Sequence, residues 1–368
     1  MKILGFNPGH HGSVCLLEDG ELKFFIQEER IGNRKKYATY PFRSFINILQ
    51  GFTIIDYITW GCPSNTFFLS KLHQSSYWSV IANKFHPKIE PVDFSPQQHH
   101  SCHTAHSFYN SGFKSAIGIT IDGLGSQIFD KEGNKIGQET ETISINSYPN
   151  KSRILYKNFR SNKLQNINLS QLYETITIYL GWDRNEAGKT MGLSSYGKYN
   201  SNLPDFIKKN EGNKEVFYPI QDSPTDKVQI NTKSYPQLEL KTNPKEWHYN
   251  KSKITDLEKD IAWKIQNDTQ QLVGDYIEKA IKETGLKQVC CAGGYFLNCV
   301  TNYYLLKRFP GVEFYFEPIA NDAGTAIGAA KLLWHGITQD TTIRPFKSLY
   351  LGKQYSKEEL LEGIKKYT

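Results

Sequence analysis

Four histidines fall within eight residues, His99, His100, His103 and His106, in the segment Ser95-Pro96-Gln97-Gln98-His99-His100-Ser101-Cys102-His103-Thr104-Ala105-His106. The segment carries its own helix-start signals: Ser95 as N-cap, Pro96 at the first helical position, and Gln98 where a capping box takes Glu or Gln. Asn110-Ser111-Gly112 supplies a stop. On the helix so defined, His99, His103 and His106 lie at i, i+4 and i+7 along one face. Imidazoles one turn apart can reach a single cation, so the spacing reads as a metal-binding pair. The competing reading is a polar helix with surface histidines.

Other residues could share that chemistry. Asp322, in Ala320-Asn321-Asp322-Ala323-Gly324-Thr325, reads either as an N-cap or as a carboxylate for the histidine site. Small residues follow it and would let a helix pack tightly beside a bound nucleotide. The paired glycines of Gly293-Gly294-Tyr295-Phe296-Leu297-Asn298 permit close approach of backbone to a ligand; the alternative is a bare strand-to-helix turn.

The elements that must position these residues show a repeat. A strand over 2–6, a loop over 7–13, a strand over 14–17, an Asp19-Gly20 turn and a strand over 22–27 open the chain. The plan recurs from 116: an apolar strand over 116–121, the tight loop Asp122-Gly123-Leu124-Gly125, a strand beginning at Ile128-Phe129, a turn at Glu132-Gly133 and a strand from Lys135-Ile136. The repetition predicts a duplicated, ribonuclease-H-like α/β fold of two lobes around a central cleft, with both loops facing it. In the actin, Hsp70 and sugar-kinase architecture, two such loops hold nucleotide phosphates. The first lobe is expected over 1–115, including the histidine helix, and the second over 116–340. Residues 200–253, rich in Asn, Lys, Ser and Pro with little periodicity, read as an insertion that shapes an acceptor pocket. A long helix is expected over 255–284, ended by Gly285, then a buried strand over 288–292.

Composition narrows the class. With 368 residues, 39% hydrophobic and 22% charged, the chain is an ordinary globular one. A net charge of +7 without a long basic run makes nucleic acid an improbable partner and suits anionic small molecules. The six cysteines show no disulfide framework and no paired C-x-x-C spacing, so reduced, mostly buried thiols and a cytoplasmic location are expected. Neither a signal peptide nor a membrane span is evident.

Several motifs in order then carry a resemblance: His10-His11-Gly12-Ser13; Glu28-Glu29-Arg30 with Arg34-Lys35 and Tyr40-Pro41; His99-His100-Ser101-Cys102-His103 with Phe108-Tyr109-Asn110-Ser111-Gly112-Phe113; Thr120-Ile121-Asp122-Gly123-Leu124-Gly125; Glu186-Ala187-Gly188-Lys189-Thr190-Met191-Gly192-Leu193; Ala292-Gly293-Gly294 with Asn298; and Asn321-Asp322-Ala323-Gly324-Thr325. Together they resemble the O-carbamoyltransferase family, which includes nodulation-factor, antibiotic and toxin carbamoyltransferases. The resemblance implies a transfer domain similar to the tRNA threonylcarbamoyl-transfer protein. It also implies a C-terminal domain that makes carbamoyl-adenylate from ATP and carbamoyl phosphate. Residues 341–368 look like the start of the linker, and the adenylate-forming domain is absent from this sequence. The expectation is a truncated product or a chain relying on a partner synthase.

Residue roles follow from that resemblance. His99 and His103, with Asp122 and Asp322, would bind a divalent metal, with Fe(II) favoured over Mn or Zn. Gly123, Gly125, Gly293, Gly294 and Asn298 would hold the ATP-derived nucleotide, with backbone amides toward phosphate. Lys189 would add positive charge or simply be solvated. His10 is the expected general base for a small-molecule, sugar or nucleoside hydroxyl, and Lys35 (or adjacent Lys36) would stabilise charge on the carbamoyl oxygen. Two departures from the family pattern stand out: His11 and Pro8 occupy places commonly acidic or polar, and His106 replaces a small residue. His100 and His106 are expected to be bystanders, with His106 an exposed side chain or, as the alternative, a fourth metal contact. The other readings are a tRNA threonylcarbamoyl transferase, a catalytically silent nucleotide-binding subunit and, last, a sugar kinase of this fold; a homodimer is also conceivable.

Overall fold

β1 (Lys2–Asn7) reads Lys-Ile-Leu-Gly-Phe-Asn and is buried throughout except at Lys2, as a strand covered on both faces must be. The computed structural model describes residues 1–32, 43–44, 55–61, 90–91, 99–129, 135–161, 166–167, 169–203, 207–210, 216–220, 228–232, 237–240, 254–351 and 355–366. β1 pairs antiparallel with β2 (Ser13–Glu18), which turns into β3 (Glu21–Gln27) through Asp19 and Gly20. Both turn residues have positive φ, 47° and 79°, the primed-turn geometry that matches strand twist. α1 (Glu28–Gly32) follows. The buried Glu28 carboxylate accepts from Arg43 N (3.2 Å), Ser44 N (2.9 Å) and Ser44 Oγ (2.7 Å), so the motif's first Glu anchors the chain. β4 (Tyr57–Trp60) and β5 (Glu90–Pro91) add parallel strands, giving the order β3-β2-β1-β4-β5.

α2 (His99–Ser111) leads into the second sheet: β6 (Ser115–Ile121), β7 (Gln127–Phe129), β8 (Lys135–Ser147) and β9 (Lys151–Ser161). β10 (Asn166–Ile167), α3 (Leu169–Tyr179) and α4 (Ala187–Ser194) come next. The 200–253 segment holds four strands where little periodicity was expected: β11 (Ile207–Asn210), β12 (Val216–Ile220), β13 (Val228–Thr232) and β14 (Gln237–Leu240). They form two small antiparallel sheets, β10-β14-β11 and β12-β13. Backbone pairing holds such short strands, and it leaves no long apolar alternation to read.

α5 (Asp256–Thr284) has the capping box Thr255/Glu258 at its start and Gly285, at φ 71°, at its end. β15 (Gln288–Ala292), α6 (Cys299–Arg308), β16 (Glu313–Phe316), α7 (Thr325–Thr338) and α8 (Lys357–Lys365) complete the chain. β6 pairs antiparallel with β8 and parallel with β15, β8 pairs antiparallel with β9, and β15 pairs parallel with β16. The order β9-β8-β6-β15-β16 therefore repeats that of the first sheet, strand for strand and direction for direction. This is the duplicated, ribonuclease-H-like architecture expected.

Two packing relations place the site. α5 lays Leu272, Val273, Tyr276, Ile277 and Ala280 on Ile117, Ile119, Val289 and Cys291 of the second sheet. Each such Ile, Leu or Val contributes about 1.5–3 kcal/mol by burial. α7 instead crosses back onto the first sheet, where Ala326, Ile327, Ala330 and Leu333 meet Ile3, Cys15 and Leu17. Numbering placed it in the second lobe; packing gives it to the first. Its small residues allow close packing: a Cβ on Gly328 would lie 1.8 Å from Cys102 O, and one on Gly5 2.2 Å from Ala326 O. Among the described residues no helix is long and apolar enough to cross a membrane.

Candidate metal centre

All four histidines of α2 are buried, which rules out a polar surface helix. The second sheet fixes the start of the helix. His99 N donates to Ser126 Oγ (3.1 Å), and Glu139 Oε1 accepts from both His100 N and Ser126 N (3.1 Å each). Glu139 is paired with Lys157. Burial would raise the Glu139 carboxyl, but His100 and Lys157 hold it at about 2, so an anion sits against the first amides of the helix. His100 Nδ1 lies 2.8 Å from Thr142 Oγ1, and burial pushes its imidazole down to about 3. His100 is thus a packing and anchoring residue.

His99, His103, Asp122 and Asp322 each offer one ligand atom, all within 4.8 Å of one another. His99 Nε2 is 3.4 Å from Asp122 Oδ2 and 3.8 Å from Asp322 Oδ1; His103 Nε2 is 3.5 Å from Asp322 Oδ1. The two rings stand at 86°, centroids 4.7 Å apart. Burial pushes the His99 imidazole down, yet the Asp122 hydrogen bond and the Asp322 and Asp122 charges outweigh it, leaving its pKa raised. Burial works against Asp122 too, and the His99 hydrogen bond with the charges of His103 and His99 holds it far below the carboxylate range. Both nitrogens of His103 and Nδ1 of His99 are buried without a hydrogen-bond partner. The two Nε2 atoms, that of His103 without a hydrogen-bond partner, face two carboxylates, a donor set that fits a divalent cation of the Fe(II), Mn or Zn class.

Neighbours from both sheets aim the carboxylates. Asn321, not Asp322, caps the short turn Asp322–Gly324, its Oδ1 accepting from Ala323 N (3.1 Å). That leaves the Asp322 side chain for the histidines. Thr325 Oγ1 is bonded to Gly61 O (2.6 Å) and Asp322 O (2.7 Å), and Ser13 Oγ to Ala323 O (2.7 Å). Asp122 Oδ1 accepts from Gly294 N (3.3 Å). Gly293 has φ 93°, and a Cβ there would lie 2.2 Å from Ile121 O, so only glycine joins β15 to the site.

The nucleotide residues are placed differently from expectation. The Gly293 amide is bonded to Ala320 O (2.9 Å) and the Gly125 amide to Glu139 O (2.8 Å). With Gly294 N on Asp122 and Asn298 N on Tyr295 O (3.0 Å), four of the five amides expected to face phosphate are already engaged. Gly125 is needed for room: a Cβ would lie 2.4 Å from Glu139 Cγ. A Cβ on Gly123 would meet open space. Asn298 Oδ1 caps α6 through Thr301 N (3.0 Å) and its Nδ2 donates to Gln266 Oε1 (2.8 Å), which makes it a structural side chain. Lys189 is half-exposed and paired with Glu186 at 2.6 Å. His10 is exposed on the otherwise largely buried loop after β1, with its ring against that of His11, and both come within 4.8 Å of the Asp322 carboxylate. Lys35 and Lys36, like Ser95, Pro96 and Gln98, lie outside the described residues.

His106 corrects an expectation. It is buried, not exposed, 3.4 Å from Glu317 Oε1 and outside the four-ligand group. Gly324 leaves room for its ring: a Cβ there would lie 2.2 Å from His106 Nδ1. Ser126, Glu139 and Glu317 support the site and went unread in the sequence, because single polar residues in apolar strands and turns have no spacing signature; Ser13 and Thr325 stand within the motifs, which assign them no role.

A family model described as Carbamoyltransferase N-terminus matches residues 64–331. The chain belongs to this family. The Synechocystis protein sll1178 is 27% identical over 99% of the chain and 62% of its own length. Nodulation protein NolNO of Sinorhizobium fredii is 24% identical over 96% of the chain and 50% of its own length. The chain thus spans between half and two thirds of these relatives. Among solved structures, HypF of T. kodakarensis is similar with a TM-score of 0.52 at 13% identity, over 91% of this chain and 48% of that one, a likeness of fold.

Proposed function

We propose that this carbamoyltransferase-family chain transfers a carbamoyl group from carbamoyl-adenylate to a hydroxyl of a small-molecule, sugar or nucleoside acceptor. The observation that carries this reading is the four-ligand group, assembled from α2, the β6 loop and the turn before α7, inside the span matched by the family. His99, His103, Asp122 and Asp322 would hold the ion. A divalent cation bound there supplies Lewis-acid charge to phosphate oxygens and to the leaving group. The open side of Gly123 leaves backbone room for the nucleotide beside it.

His10, exposed beside Asp322, takes the acceptor hydroxyl's proton on a ring nitrogen as the oxygen attacks the carbamoyl carbon. The bond from that carbon to the adenylate phosphate oxygen breaks and AMP leaves. Lys35 offsets negative charge on the carbamoyl oxygen in this scheme. A synthase acting in the same or another chain would supply the adenylate, with 341–368 as the start of a linker to it.

The test supplies carbamoyl-adenylate and Fe(II) to the protein with a panel of sugar and nucleoside hydroxyls. Mass spectrometry should detect a carbamoylated product with stoichiometric AMP. Absence of turnover with every acceptor, together with no metal retained by the protein, would sink the reading.

A further inference from the structure

Adjacent residues of an extended chain point to opposite sides, yet His10 and His11 bring their rings together. Their centroids lie 4.0 Å apart, nearly perpendicular at 81°. The cause is His11, which sits at φ 57°, a left-handed conformation that crowds the Cβ of a non-glycine residue against the carbonyl oxygen. Asn7, fully buried at the end of β1, holds the loop in that shape. Its Nδ2 donates to His10 O (2.7 Å) and His11 O (3.4 Å), and its Oδ1 accepts from Gly9 N (3.2 Å). Strain maintained by a buried side chain is a sign of function. What it achieves here is geometric: one ligand atom each from His10, His11 and Asp322 lies within 4.8 Å of the others.

We propose that His10, His11 and Asp322 bind a second divalent cation, with Asp322 common to both sites. Two imidazoles and one carboxylate suit the zinc class, and three protein ligands leave the remaining positions open to water or an anion. The site is the weaker of the two. His10 is exposed, the loop contributes no carboxylate, and an ion already held by His99, His103, Asp122 and Asp322 repels a second one nearby. The consequence rests on the reading of His10 as the base: a cation on its ring nitrogen takes the lone pair that would accept the proton. Excess zinc then inhibits transfer.

The experiment titrates the protein with Zn²⁺ alone, reading stoichiometry and affinity by calorimetry and bound metal. The wild type should take two equivalents, the second at least about tenfold weaker. His11→Asn keeps a residue that tolerates the left-handed backbone, so it should fold and bind one equivalent, its first-site affinity within about threefold of wild type. A single equivalent in the wild type, or a second equivalent retained in both His11→Asn and His10→Asn, overturns the proposal. Two equivalents that fall to one, in a protein without transfer activity, would uphold the cation site while the carbamoyl-transfer reading fails.

Discussion

His106 Nε2 lies 3.4 Å from Glu317 Oε1, with both side chains sealed from solvent. His106 is on α2, one turn beyond His103, and Glu317 follows β16 on the way to Asp322. Glu317 also accepts from Asn110 Nδ2 (2.9 Å), Tyr315 Oη (3.3 Å) and Ile319 N (3.2 Å). Asn110 Oδ1 in turn accepts from Lys331 Nζ of α7 (2.6 Å). One buried polar network therefore locks together the three segments that carry and surround the metal ligands.

Burial pushes the Glu317 carboxyl up from 4.5 to about 7, only partly offset by its Asn110 and Ile319 bonds. The folded state thus holds the proton more tightly than the unfolded chain. The stability this contributes is fully present below about pH 4.5 and is lost as pH rises towards 7. Lys331, lowered to about 8 by burial, titrates above that window. Urea midpoints measured from pH 4.5 to 7 should show the wild type losing stability relative to Glu317→Gln. A difference between the two that stays constant with pH contradicts this.

Replacing both His99 and His103 by alanine removes the imidazole half of the ligand set. Bound metal should fall by more than about 100-fold in affinity, beyond the loss typical of a supporting residue. Circular dichroism and the unfolding profile should still report a folded chain, because neither Nδ1 bonds another group. Unchanged metal content would place the ion elsewhere.

Two glycines should behave in opposite ways. Gly293→Ala forces a Cβ to 2.2 Å from Ile121 O at a positive φ, and should cost at least about 2 kcal/mol in denaturant unfolding. Gly123→Ala faces open space and should stay within about 0.5 kcal/mol of wild type. If Gly123 borders the nucleotide, its variant should nevertheless weaken ATP binding in a calorimetric titration.

Thr325→Val keeps the shape of the side chain and deletes its hydroxyl bonds to Gly61 O and Asp322 O. Stability should drop by about 1–2 kcal/mol, since those carbonyls lose a buried donor. Metal affinity should fall about tenfold as the Asp322 turn loosens, read by competition with a chelating dye. An unaltered affinity would mean that Asn321 and Ser13 suffice to aim the carboxylate.

Local pattern determined much of this protein. The strand–turn–strand units, the Asp19-Gly20 hairpin, the Thr255-to-Gly285 bounds of α5 and the His99/His103 spacing all follow from contacts a few residues apart, so the sequence expresses them directly. The meeting of those histidines with Asp122 was legible only through family motifs, and with Asp322 only as one of two local readings, because more than two hundred residues separate His103 from Asp322. Tertiary structure alone decided the rest. It buried His106 against Glu317, turned the small residues of α7 onto β1 and α2, and committed the Gly125, Gly293 and Gly294 amides to the chain. It also brought His11 beside His10 through a left-handed backbone. These outcomes depend on which surfaces two distant sheets present to each other, and burial and hydrogen-bond satisfaction across that contact are properties no window of sequence contains.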